Sequence, residues 1–227
     1  MPFLDLPVRV REVRERVEEA RARGGHGQTV TIVAVTKTHG PEAVLAAWAA
    51  GLRDVGENRV QEALAKMDAV SEPLRWHLIG HLQRNKARHA ARFDLVHSMD
   101  SARLADALNA AASAAGRPID VLVQVNVSGE GSKGGYSLEG LPREAERLHS
   151  LSGLRVRGAM TMAPFDADDR TLRAVFGGAR RARSLLCAAG HEATELSMGM
   201  SNDFVVAVEE GATLVRLGTI LFGARSA

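Results

Sequence analysis

Thr29-Val30-Thr31-Ile32-Val33-Ala34-Val35-Thr36-Lys37-Thr38, closed by the breaker pair Gly40-Pro41, is the stretch that decides the fold. Its β-branched and aliphatic residues run on without clean alternation, the pattern of a strand buried on both faces, as in a parallel sheet. Lys37 is out of place at the carboxyl end of such a strand, because an unpaired ammonium is costly to bury. Two readings fit it: a lysine kept ready to form a Schiff base, or one that marks where the strand meets water.

Outward from this strand the same beat recurs. A charged amphipathic helix over 5–22 precedes it and stops at Arg23-Gly24-Gly25. After it the sequence predicts a helix over 41–50, a strand over 52–58, a helix over 59–70, a strand over 74–81 and a basic helix from about Asn85. A strand at 94–98, a helix at 101–115 and the strand 119–127 (IDVLVQVNV) follow, then a glycine-rich loop at 128–135. The chain continues with a helix at 138–150, a strand at 154–160, a helix at 169–189, a strand at 193–197, a short helix from about Asn202 to Gly211 and a strand at 213–216. A short last helix near Gly223 completes eight strand–helix units. Strand alternating with helix implies a parallel sheet with helical crossovers, and eight units favour a closed (β/α)8 TIM barrel over an open sheet. No linker or low-complexity segment interrupts it, so residues 1–227 are expected to form one domain with an extra N-terminal helix.

Composition narrows the function. Hydrophobic residues at 45% and charged residues at 25% are those of a soluble globular protein. The net charge is only +2, and the one basic stripe, Arg84, Lys86, Arg88 and Arg92, has no interleaved aromatics and suits a solvated helix face. No nucleic-acid partner is expected. The single Cys187 excludes an internal disulfide and a multi-cysteine metal site, and its setting, Ser184 to Ala189, reads as a small core thiol. The N-terminus carries no apolar signal-peptide region and no run is long enough to span a membrane, so the expected location is the cytoplasm.

In a barrel the functional end is formed by the carboxyl ends of the strands. There the sequence sets Lys37, Glu57-Asn58, Gly80-His81, Ser98, Asn126, Met160-Thr161-Met162, Ser197-Met198 and Arg216-Leu217-Gly218. Two segments look built for phosphate. Ser197-Met198-Gly199-Met200-Ser201-Asn202-Asp203 carries the Ser201 hydroxyl to a helix N-terminus, and Arg216-Leu217-Gly218-Thr219 turns directly after the last strand. Singly, Ser201 is only an N-cap and Gly218 only a turn; their joint place after strands seven and eight favours phosphate. A Schiff-base lysine, a phosphate nest and an arginine in one mouth point to pyridoxal 5′-phosphate (PLP).

The chain resembles the pyridoxal-phosphate homeostasis protein family, relatives of the alanine racemase N-terminal-domain barrel. The matching residues are Val35-Thr36-Lys37, Gly56-Glu57-Asn58-Arg59-Val60-Gln61-Glu62, and Trp76-His77-Leu78-Ile79-Gly80-His81-Leu82-Gln83-Arg84-Asn85-Lys86. They go on with Asn126-Val127-Ser128 to Lys133-Gly134-Gly135, Leu196-Ser197-Met198-Gly199-Met200-Ser201-Asn202-Asp203, and Val215-Arg216-Leu217-Gly218-Thr219-Ile220-Leu221-Phe222-Gly223. The resemblance implies that Lys37 carries the cofactor as an aldimine and that Ser201, Gly218 and Thr219 hold its phosphate. It further implies that Arg216 lies by the pyridine nitrogen and Asn58 close to the cofactor. Thr38-His39-Gly40-Pro41 departs from the family's usual loop, which leaves His39 and His81 as rim bystanders.

The expected role is a carrier without catalytic activity, supplying PLP to other proteins. An arginine can only donate to the ring nitrogen, which weakens the electron sink. The racemases add a second domain with a tyrosine that this sequence is not expected to have, and its one tyrosine, Tyr136, reads as packing. A PLP-dependent racemase and a cofactor-free class I aldolase are the alternatives. The expected partners are PLP and apo forms of PLP enzymes, with no membrane, and the expected state is a monomer.

Overall fold

The computed structural model describes residues 3–127, 129 and 134–223, so the loop read at 128–135 lies mostly outside the described residues. Eight strands close into one parallel barrel in sequence order: β1 (Thr31–Val35), β2 (Asp54–Glu57), β3 (Arg75–Leu78), β4 (Leu95–Met99), β5 (Ile119–Gln124), β6 (Leu154–Met160), β7 (Glu195–Ser197) and β8 (Leu214–Leu217). Closure is made by β1 against β8, with Thr31 opposite Leu214 and Val33 opposite Arg216. Four of the five β1 residues and every residue of β2, β4 and β8 are buried, and burial on both faces is why β1 reads as an unbroken run.

Helices cover the outside: α1 (Leu6–Gly24), α2 (Pro41–Ala49), α3 (Val60–Ala69), α4 (Ala102–Ala115), α5 (Leu141–His149), α6 (Asp169–Ala188), α7 (Phe204–Glu209) and α8 (Thr219–Phe222). In α1, Leu6, Val10, Val13, Val17 and Ala20 repeat at helical spacing and are buried. The extra helix thus seals the seam beside α7 and α8, and Arg23 pairs with Glu209 at 2.7 Å.

Some expectations shift. The basic helix is a 3-10 helix over Arg84–Arg92, whose buried Ala87 and Ala90 stand three residues apart, as a three-residue turn requires. The last helix is Thr219–Phe222 and ends before Gly223. Strand β1 stops at Val35, leaving Lys37 in the turn beyond it. Cys187 is exposed, not a core thiol, because its neighbour Leu186 takes the inward position on α6. None of the described helices is long and apolar enough to cross a membrane.

The barrel interior is not uniformly apolar. Val33, Leu95, Leu122, Met160 and Leu214 form one small cluster inside it. Two residues on from Leu95 and Leu214, on the same faces of their strands, come His97 and Arg216.

Candidate functional site at the barrel mouth

A cavity of about 810 Å³ opens at the carboxyl ends of the strands. It is lined by all six residues marked in the sequence: Lys37, Asn58, Ser201, Arg216, Gly218 and Thr219. His39, His81, Asp100 and Asp203 also line it, so the rim is polar and carries both signs of charge.

Close backbone contacts set its shape. A Cβ at Gly80 would lie 2.3 Å from the carbonyl oxygen of Asn58, so only glycine lets the two strand ends meet there. Gly199, at φ +92, has Ala207 Cβ 2.6 Å from where its own Cβ would be, which fixes the turn that leads to Ser201. The Ile220 amide donates to Ser201 Oγ at 3.3 Å, joining the two predicted phosphate segments. Among the described residues, the amides of Ser201, Asn202 and Thr219 make no backbone hydrogen bond, and these residues are exposed or half-exposed at the mouth. Donors left open beside a cation fit a phosphate group.

Arg216 is buried beneath this nest, donating through Nη1 to Ser197 Oγ at 2.6 Å and through Nη2 to the Thr161 carbonyl at 3.0 Å. Burial pulls its guanidinium down to about 10, against the opposing charge of Asp203. Burial in turn raises the Asp203 carboxyl, although it accepts the Met200 amide at 2.5 Å.

Two buried networks support the mouth, and neither was singled out in the sequence. The first runs down the barrel: Ser197 Oγ lies 2.8 Å from His97 Nδ1, His97 Nε2 lies 2.9 Å from His77 Nδ1, and His77 Nε2 lies 2.9 Å from Asp54 Oδ1. Arg75 completes it with a 2.7 Å contact to Asp54 Oδ2. Burial holds His97 well below the usual imidazole range, helped by His77 and Arg216. For Asp54, burial pushes upward but the hydrogen bonds from His77 and Arg75 outweigh it and keep the carboxyl low. The second network lies beside Lys37 and joins Lys66 on α3 to Glu57, Glu62 and Thr36. Burial raises the Glu57 carboxyl, opposed by hydrogen bonds from Lys66 and Thr36.

Tyr136 is held away from these groups, its hydroxyl donating to Glu144 at 3.0 Å. His81 sits on the rim, 3.2 Å from Asp100.

Residues 8–226 match the family model for the alanine racemase N-terminal domain. A pyridoxal phosphate homeostasis protein from Pseudomonas aeruginosa is 45% identical over 219 residues, covering 95% of this chain and 94% of its own. The chain belongs to the pyridoxal phosphate homeostasis protein family. Members of this family, in Escherichia coli as in Pseudomonas aeruginosa, bear a homeostasis name and not that of an enzyme. PipY of Synechococcus elongatus, solved with PLP bound, is 38% identical with a TM-score of 0.84, covering 96% of this chain and 100% of its own. Alanine racemase from Streptomyces coelicolor, at 23% identity and a TM-score of 0.79, covers 99% of this chain but 59% of its own, a likeness of fold alone.

Proposed function

We propose that the mouth holds PLP through an aldimine on Lys37 and that the protein acts as a reservoir for the cofactor, with no catalytic turnover of its own. The observation that carries this reading is the meeting of Lys37, the buried Arg216 and the open amides around Ser201 and Thr219 in one cavity. Ser201, Gly218 and Thr219 take the phosphate, Arg216 faces the ring nitrogen and Asn58 lies beside the ring. When bound, PLP supplies an aldehyde that condenses reversibly with amines. A chain that stores it needs an amine, an anion cradle and an open mouth, all of which line this cavity. The family name and PipY with PLP bound support the reading. Apo forms of PLP enzymes are the proposed recipients, and the cytoplasm the proposed location.

The test is borohydride reduction of the PLP-loaded protein followed by peptide mapping. With only four lysines in the sequence, the assignment is direct. The pyridoxyl group is expected on Lys37, and a dominant label elsewhere would overturn the reading. Return of activity to an apo PLP enzyme mixed with the loaded protein tests the reservoir role.

A further inference from the structure

Lys66 is a buried lysine that the proposed function does not use. It lies at the end of the second turn of α3, its side chain is 3% exposed, and an apolar residue there would avoid the cost of taking an ammonium out of water. All three of its protons are engaged: by the Thr36 carbonyl at 2.8 Å, by Glu57 Oε1 at 2.6 Å and by Glu62 Oε1 at 3.0 Å. It therefore has no lone pair to offer as a nucleophile and is not a rival to Lys37.

What it touches is informative. The Thr36 carbonyl belongs to the peptide unit that enters Lys37, and the Thr36 hydroxyl donates to the same Glu57 oxygen at 2.5 Å. The Thr38 amide belongs to the peptide unit that leaves Lys37, and it donates to the same Glu62 oxygen at 2.7 Å. Both peptide planes of Lys37 are thus fixed from one ion cluster, which sets the direction in which its side chain departs. Thr38 shows the effect: it sits at φ +70, a conformation that a β-branched residue adopts only when its surroundings hold it there.

We propose that Lys66, through Glu57 and Glu62, is a positioning residue that aims the Lys37 amine into the mouth. The inference rests on the Schiff-base reading of Lys37 for its purpose, but the clamp itself can be read without the cofactor.

The experiment compares wild type with Lys66→Met, with Lys66→Met combined with Glu57→Gln, and with Lys66→Arg. The double variant removes both buried charges, so it keeps the proposal testable if the single change leaves Glu57 unpaired and the chain unfolds. In cofactor-free protein, amide hydrogen exchange at Thr38 is expected to rise at least tenfold in the Met variants. In PLP-loaded protein, the visible circular dichroism per bound cofactor should fall to less than half, and the Kd for PLP should rise about tenfold. Lys66→Arg, which keeps the charge and several donors, should recover part of both signals. Ser201→Ala is the control: it should weaken PLP binding yet leave the dichroism per bound cofactor unchanged. Unchanged exchange at Thr38 overturns the inference, as does faster exchange with unaltered dichroism and Kd. If borohydride fails to label Lys37 in wild type, the Schiff-base reading fails first; if it labels Lys37 and the variants behave as wild type, only the positioning role fails.

Discussion

Arg216 and Asp54 stand at opposite ends of one hydrogen-bond chain through the barrel, with Ser197, His97 and His77 between them. One sense of donation satisfies every group in the chain. Arg216 has no acceptor, so Ser197 accepts from it and keeps its own proton to give to His97 Nδ1. His97, kept neutral by burial, then donates from Nε2 to His77 Nδ1, and His77 donates from Nε2 to the Asp54 carboxylate. Arg75 and His77 hold Asp54 ionised, which closes off the reverse direction. A cation at the mouth and an anion near the barrel floor are thereby linked through both histidines.

Ser197→Ala removes the one group that both accepts from Arg216 and donates to His97. Two buried partners are left short, and a buried polar group without a partner costs about 1–3 kcal/mol. The variant is expected to unfold at lower denaturant by an amount in that range. Nitrogen NMR of the imidazoles should show Nδ1 of His97 and His77 unprotonated in wild type, and a mixed tautomer at His97 in the variant. A wild-type stability with unchanged tautomers would sever Arg216 from the chain.

The pH dependence follows from His97. Its folded pKa is depressed below the ordinary 6.5, so above 6.5 it is neutral in both states and its stabilising contribution is complete. As pH falls below 6.5 the unfolded chain takes up a proton that the folded barrel refuses, and stability drops until the folded pKa is reached. The loss approaches about 1.4 kcal/mol per pH unit for one such group. Urea midpoints measured from pH 7.5 to 5 should fall, and His97→Gln should flatten that slope even at lower overall stability. Asp54 acts in a separate window, because its contribution is lost only below its ordinary 3.8.

The barrel was legible because a parallel strand buried on both faces writes itself as an apolar run, as in Ile32 to Val35. The mouth was legible for a related reason: Lys37 and Arg216 are charges at the ends of such runs, where a packing role is a poor explanation. The supports were hidden by short-range patterns that have ordinary meanings. Lys66, four residues after Glu62, has the spacing of an exposed helical ion pair, and only the tertiary packing of α3 against β2 and the turn after β1 shows it to be buried. His77 and His97 did carry a signal, since each interrupts an apolar strand, but their pairing depends on the β3–β4 register, which sets His77 opposite Leu95, two residues before His97. The 3-10 form of Arg84–Arg92 was likewise beyond reach of composition, because an alanine- and arginine-rich segment suits an α-helix equally well.

Ser201→Ala tests the anion cradle. The hydroxyl already accepts the Ile220 amide, so it serves the turn as well as any phosphate. A charge-assisted hydrogen bond to phosphate is worth about 1.5–3 kcal/mol, roughly ten- to a hundredfold in affinity. The Kd for PLP, followed by absorbance titration, is expected to rise by that factor while the label on Lys37 persists. An unchanged Kd would reduce Ser201 to a structural link between the two turns.

The last prediction concerns turnover, which is expected to be slow or absent with free amino acids. Even pulled down to about 10 by burial, Arg216 stays protonated at neutral pH, so in the proposed place beside the ring nitrogen it could only donate. With Arg216 placed so, a bound cofactor would supply only a weak electron sink, and exchange of an amino acid's α-proton would be slow. A racemase also needs a proton carrier on each face of the substrate. Tyr136 does not serve, because its hydroxyl is given to Glu144 and burial raises it further. The imidazoles on the rim are His39 and His81, the second paired with Asp100 and 70% exposed in its side chain. Incubation with L-amino acids in deuterated water, read by mass and by chiral analysis, separates the cases. Slow exchange with no racemisation is the expected result. Fast exchange with retention would show that Arg216 does not damp the cofactor. Fast racemisation that is lost in His39→Gln or His81→Gln would identify that residue as the second carrier and make the protein an enzyme.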